Sequence, residues 1–102
     1  MEGHASISPD ILASYAADAA REVAGVTGLV DRPLPGRRGV RVLHEDGRVR
    51  VELQLAVAWG ASLPDVGRAV QERVRGYLAR MADVDDVAVD VVVAELGDPA
   101  GR

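Results

Sequence analysis

His4 and His44 are the only histidines in this 102-residue sequence, and histidine is the side chain most often used as a general base. As candidate bases they need a nucleophile beside them, and the inventory is Ser6, Ser8, Ser14, Ser62, Thr27, Tyr15 and Tyr77. His4 falls in an amino-terminal segment with no periodic pattern. His44 falls on the apolar side of a predicted strand, beside a turn. That position suits a half-exposed histidine at a sheet edge better than a base held against a nucleophile. The sequence contains no nucleophile elbow, no phosphate-binding glycine loop and no zinc-ligand spacing. It predicts no catalytic residue, no cofactor and no small-molecule substrate. The reading is that this chain is not an enzyme.

Two other chemistries come to mind and meet objections. Asp83, Asp85 and Asp86 are dense enough in oxygen to suggest a cation site, but they lack the glycine bend and distal glutamate of a calcium loop. Solvated aspartates in a turn explain them, and no metal is expected. Gly25-Val26-Thr27-Gly28 matches the G-x-x-G of a nucleic-acid clamp between helices, with Arg37, Arg38 and Arg41 as nearby charge. Against that stand a net charge of −4 and a hairpin with no exposed aromatics for base stacking. A small RNA-binding domain is the alternative function, and the electrostatics disfavour it.

The elements that would position these residues are legible. Seventeen valines and no phenylalanine point to an interior made largely of sheet, because valine is stiff at χ1 and suits a pleated surface. Ser8-Pro9-Asp10 reads as a helix start, with Ile11, Leu12, Tyr15, Ala19 and Val23 at helical spacing until Gly25. Residues 26–30, and residues 4–8 before the helix, are candidate short strands, and Asp31 to Arg38 reads as a loop. Asp46-Gly47 is a favoured pair for a two-residue type I′ turn. Folding the chain there sets Glu45 against Arg48, Arg41 against Glu52, Val42 against Val51 and Val40 against Leu53. Opposite charges then meet on one face and apolar pairs on the other. A second helix is predicted from Leu63 to Met81, with Ser62 and Asp65 as a capping-box-like start and Leu63, Val66, Val70, Val74, Tyr77, Leu78 and Met81 as its stripe. Gly67 and Gly76 inside it are expected to mark close packing. Val87, Val89, Val91 and Val93 alternate along a closing strand, and Gly97 to Arg102 reads as a tail.

This order predicts an α+β fold: a two-layer sandwich, its sheet mixed or antiparallel, with a central hairpin and two helices packed on one face. One domain is expected over residues 1–102, its core about 5–96. The sequence has no cysteine, which suits a reducing compartment. Its longest uncharged run, Leu53 to Pro64, falls short of the roughly 20 residues that cross a bilayer. Met-Glu-Gly-His does not open a signal peptide. These features predict a cytoplasmic location and no direct membrane insertion.

Ile7-Ser8-Pro9-Asp10-Ile11-Leu12-Ala13, Ala19-Ala20-Arg21-Glu22-Val23-Ala24-Gly25-Val26, Gly39-Val40-Arg41-Val42, Trp59-Gly60, Pro64, Val70-Gln71, Val74, Met81 and the run from Val87 to Val93 follow one another in this order. Together these segments resemble the alkaline shock protein family, the general or envelope stress response proteins of Gram-positive bacteria. The Arg32-Pro33-Leu34-Pro35 loop departs from that pattern. The resemblance implies a non-enzymatic stress-response protein, cytoplasmic and brought near the membrane by a partner. It implies a homo-oligomer or a small membrane-anchored protein partner, and it brings no catalytic residues.

One surface stands out for partner binding. The sheet face opposite the helices should carry Arg50, Glu52 and Gln54, but also Leu43, Ala56, Ala58, Val92 and Ala94. A face turned to water would be more polar. The cover is either another molecule or a terminal segment or loop of the same chain. Leu43, Ala56, Ala58, Val92 and Ala94 are the candidate interaction face.

Overall fold

A computed structural model describes residues 8–30 and 39–97. The amino-terminal strand considered for residues 4–8 (all but Ser8), the loop at 31–38 with Arg37 and Arg38, His4, and the tail beyond Gly97 lie outside the described residues. Helix α1 spans Pro9–Arg21, followed by strands β1 (Val26–Leu29), β2 (Val40–Glu45) and β3 (Arg48–Ala58). Helix α2 (Leu63–Ala82) and strand β4 (Val87–Gly97) complete the order. The fold is α+β.

β3 is the centre of the sheet. β2 pairs with it antiparallel over Arg48 to Leu53, and β1 pairs antiparallel over Leu55 to Val57, so the two short strands share one edge of the long one. β4 lies parallel along the other edge. A parallel neighbour requires a crossover, and α2 supplies it. The sheet is therefore mixed, which the hydrophobic pattern alone left open.

The hairpin forms in the predicted register, with Glu45 opposite Arg48, Arg41 opposite Glu52, Val42 opposite Val51 and Val40 opposite Leu53. Asp46 and Gly47 both have positive φ, 50° and 80°, as a type I′ turn requires. Gly39, at φ 79°, opens β2 where a Cβ would stand 2.8 Å from the Val30 carbonyl oxygen. Only glycine fits that return of the chain beside the end of β1.

Both helices cover the face that carries the odd-numbered side chains of β3. Val49, Val51, Leu53, Leu55 and Val57 are buried against Leu12, Ala16 and Ala20 of α1 and Val66, Val70, Val74 and Leu78 of α2. Ser8 caps α1 by accepting a hydrogen bond from the Ile11 amide at 3.2 Å. Alanines at 16, 17, 19 and 20 make α1 thin, and all four are buried. The Tyr77 and Tyr15 rings meet edge to face at 5.8 Å and tie the helices together.

Some expectations need correction. Ile11, expected in the stripe of α1, is exposed; Leu12 and Ala19 are buried together with Ala16, Ala17 and Ala20, and Tyr15 and Val23 pack partly buried against them, because helix and sheet approach through the alanines. Leu63 and Met81 lie at the ends of α2 beyond the sheet's cover and are also exposed. Ser62 sits at the cap position of α2 without a side-chain capping bond. A Cβ added at Gly67 or Gly76 would meet no atom within 4 Å, so close packing does not explain either glycine. Gly97, expected in the tail, ends β4.

Two outcomes test this architecture. Replacing Asp46-Gly47 by Val-Val should lower stability by about 1–3 kcal/mol, because β-branched residues resist positive φ, and the denaturation midpoint reads it. Leu78→Ala should cost about 2–5 kcal/mol, whereas Gly76→Ala should stabilise by up to about 1 kcal/mol. Destabilisation by Gly76→Ala would reveal a contact that the open surface of α2 does not show.

Candidate interaction surface

Even-numbered residues of β3 point away from the helices, and their neighbours divide the outer face into two halves. Near the hairpin turn the face is ionic. Arg50 bridges β2 and β4, donating to Asp90 at 2.7 Å and to Glu45 at 3.2 Å. The bond and charge of Asp90, and then Glu45, push the Arg50 pKa above its ordinary value. Arg48 pairs with Asp86 at 3.1 Å and Arg41 with Glu52 at 3.6 Å. These groups are largely exposed, where such pairs contribute little each. Their geometry keeps this half hydrated.

Toward the other end of β3 the face is made of small side chains. Ala56 sits between Gly28 and Glu95, and Ala58 lies beside Gly97. Val92, opposite Gln54, is 46% exposed. The structure thus brings Ala56, Ala58 and Val92 to one region and separates Leu43 from them. Leu43 lies opposite Arg50 in the ionic half. Ala94 is the extra residue of a β-bulge, since Leu55 pairs with Val93 but Ala56 pairs with Glu95. Strict alternation put Ala94 on the outer face; the bulge hands that register position to Glu95.

The outer edge of β4 is the second feature. Among the described residues β4 pairs with β3 alone. The Val49 amide donates to the Asp86 carbonyl. By alternation, the backbone groups of Ala88, Asp90 and Val92 then face β3, and those of Val87, Val89, Val91 and Val93 face outward. Two side chains of α2 reach down to this edge. Gln71 donates to the Val89 carbonyl at 3.0 Å and Arg75 to the Val87 carbonyl at 3.3 Å. One helical turn of spacing matches two residues of strand, so both outward carbonyls of the first half of β4 are capped. Past that point the edge borders a groove of about 290 Å³ lined by Leu63, Pro64, Gly67, Arg68, Gln71, Val91 and Val93. Leu96 and Trp59 remain exposed near the end of the sheet.

The features singled out for other chemistries are placed differently. His44 is exposed on β2 opposite Val49. Gly25 to Gly28 lead into and form part of β1, with Gly28 paired to Ala56. They are not a clamp between helices. Asp86 is engaged by Arg48. No group of three or more histidine or acidic side chains converges as a metal site among the described residues. None of their helices is long and apolar enough to cross a membrane.

Sequence reasoning missed the edge caps. Gln71 and Arg75 were legible only as polar positions on a helix, and their target depends on β4 lying beside β3. Loss of both caps in Gln71→Ala/Arg75→Ala should cost about 1–2 kcal/mol and increase light scattering, because a longer run of open edge becomes available. Unchanged stability and scattering would mean that the caps do not guard the edge.

Comparison with known proteins gives a consistent result. Residues 1–97 match the model of the alkaline shock protein family, described as having a cell envelope-related function. The uncharacterized protein YqhY of Bacillus subtilis (strain 168) is 29% identical, over 88% of this chain and 76% of its own. Among solved structures, a doubly substituted MamM CTD superposes with a TM-score of 0.59 at 20% identity, covering 87% of this chain and 86% of that one. A singly substituted MamM CTD gives 0.58 at 19% identity, covering 86% and 95%. At such identities the likeness is one of fold.

Proposed function

The chain belongs to the alkaline shock protein family, whose function is cell envelope-related, and we propose that it is a non-enzymatic stress-response protein serving as an interaction or scaffolding module. In this reading it acts in the cytoplasm and docks to a copy of itself or to a small membrane-anchored protein. The observation that carries the reading is the small-side-chain half of the outer sheet face, where Ala56 and Ala58 lie beside the exposed Val92. Small side chains let a second surface come close, and their burial removes apolar area from water. The ionic half beside them offers charged groups to fix orientation, the role that polar rims play at interfaces. Of the two candidate bases, His44 stands exposed on β2, far in register from the small-residue half.

Ala58→Arg tests the proposal, because that side chain points away from both helices and its change leaves the core intact. The wild-type chain should sediment as a concentration-dependent oligomer, or be retained by a membrane-anchored protein from the native host. The variant should lose that association while keeping its unfolding midpoint. A wild-type chain that stays monomeric at high micromolar concentration and retains no anchored protein would overturn the reading.

A further inference from the structure

We infer that the open edge of β4 pairs antiparallel with the same edge of a second copy, about a two-fold axis at Val92. The inference rests on the interaction-module reading and names both the partner and the register. Its basis is which edge groups are free. Gln71 and Arg75 occupy the outward carbonyls of Val89 and Val87, and the bulge at Ala94 ends the regular strand. Among the described residues, Val91 and Val93 are left as the uncapped positions whose backbone groups face outward. A strand related by a two-fold axis at Val92 sets Val91 against Val93 of the second copy, and Val93 against its Val91. Each such pair exchanges both its N–H and its C=O, and Val92 meets its own counterpart as a non-hydrogen-bonded pair.

Charge and side chains agree with this register. An axis at Asp90 would set carboxylate against carboxylate and would also require the Val89 carbonyl that Gln71 holds. An axis at Val91 sets Val89 against Val93 and meets the same obstacle. With the axis at Val92, Asp90 faces Ala94 of the second copy, so no acid opposes an acid along the regular part of the strand. Asp90 is moreover held by Arg50 at 2.7 Å. On the helix side, Val91 and Val93 bring their counterparts over the groove beside Leu63 and Gly67, where the missing Cβ of Gly67 leaves room. On the outer side the exposed Val92 is buried against itself. No lysine or proline guards this stretch of edge. The result is one continuous sheet across both copies, with all four helices on one face.

The absence of cysteine from the chain makes the test direct. Opposed residues of a non-hydrogen-bonded antiparallel pair have Cα atoms about 4.5 Å apart, within the disulfide range of about 4.4–6.8 Å. Full-length Val92→Cys should therefore form a covalent dimer under mild oxidation. Ala88→Cys, on the same face but far from the axis, should stay monomeric. Val92→Lys and Val92→Glu should each sediment as monomers alone and recover a dimer when mixed, because residue 92 faces itself. Equal cross-linking of the two cysteine variants, or no gain on mixing the charged ones, overturns the proposal, as does a membrane-anchored protein occupying the edge instead. If Ala58→Arg abolishes association while Val92→Cys fails to cross-link, face docking stands and edge pairing falls. If Val92→Cys cross-links in the Ala58→Arg background, the edge stands without the face.

Discussion

Five side chains on one side of β3, from Val49 to Val57, must be kept from water at once, and each is almost wholly buried. Burying a side chain of that size contributes on the order of 1.5–3 kcal/mol relative to exposure. A strand of this length therefore dictates where both helices go. α1 lies close over the β1 and β2 side because its contact surface is alanine. α2 lies over the β4 side because it must carry the chain back to begin β4 parallel to β3. The same alternation sends Arg50, Glu52, Gln54, Ala56 and Ala58 to the other face, where no described helix lies. Among the described residues, the outer face of the sheet and the outer edge of β4 are both left without cover by the way the core is closed.

The parts legible in the sequence are those with a short-range cause. Asp46-Gly47, the alternation from Val49 and the charge pairs across the turn specify one hairpin register, and that register forms. The cap at Ser8 and the stripe Val66, Val70, Val74 and Leu78 place the helices. The parts that were not legible depend on contacts between distant segments. Nothing local says that β4 chooses the free edge of β3, that β1 and β2 line up end to end, or that a bulge at Ala94 moves Glu95 into an alanine's expected position. Gly67 and Gly76 show the opposite failure. A local irregularity invited a packing explanation, and the open space around both removes it. In the candidate interaction face, Ala56, Ala58 and Val92 follow from alternation alone. Leu43 was grouped with them because strand order decides which outer-face residues are neighbours, and the sequence does not state strand order.

The edge of β4 shows how one helix can both complete a core and cap the backbone of a strand. The inner face of α2 buries Val70 and Val74, while Gln71 and Arg75, each one position further along, reach over the strand to its backbone. Capping half of the edge restricts where another strand can add, and restriction of register separates a specific contact from indiscriminate sheet extension.

Residue-resolved amide exchange at low and high protein concentration shows directly whether association proceeds through the outer edge of β4. If it does, the outward-facing amides of Val91 and Val93 become more protected as concentration rises, while amides at the solvent face of α1 do not change. Protection that is independent of concentration along β4, or that instead grows on the outer surfaces of the helices, would contradict it.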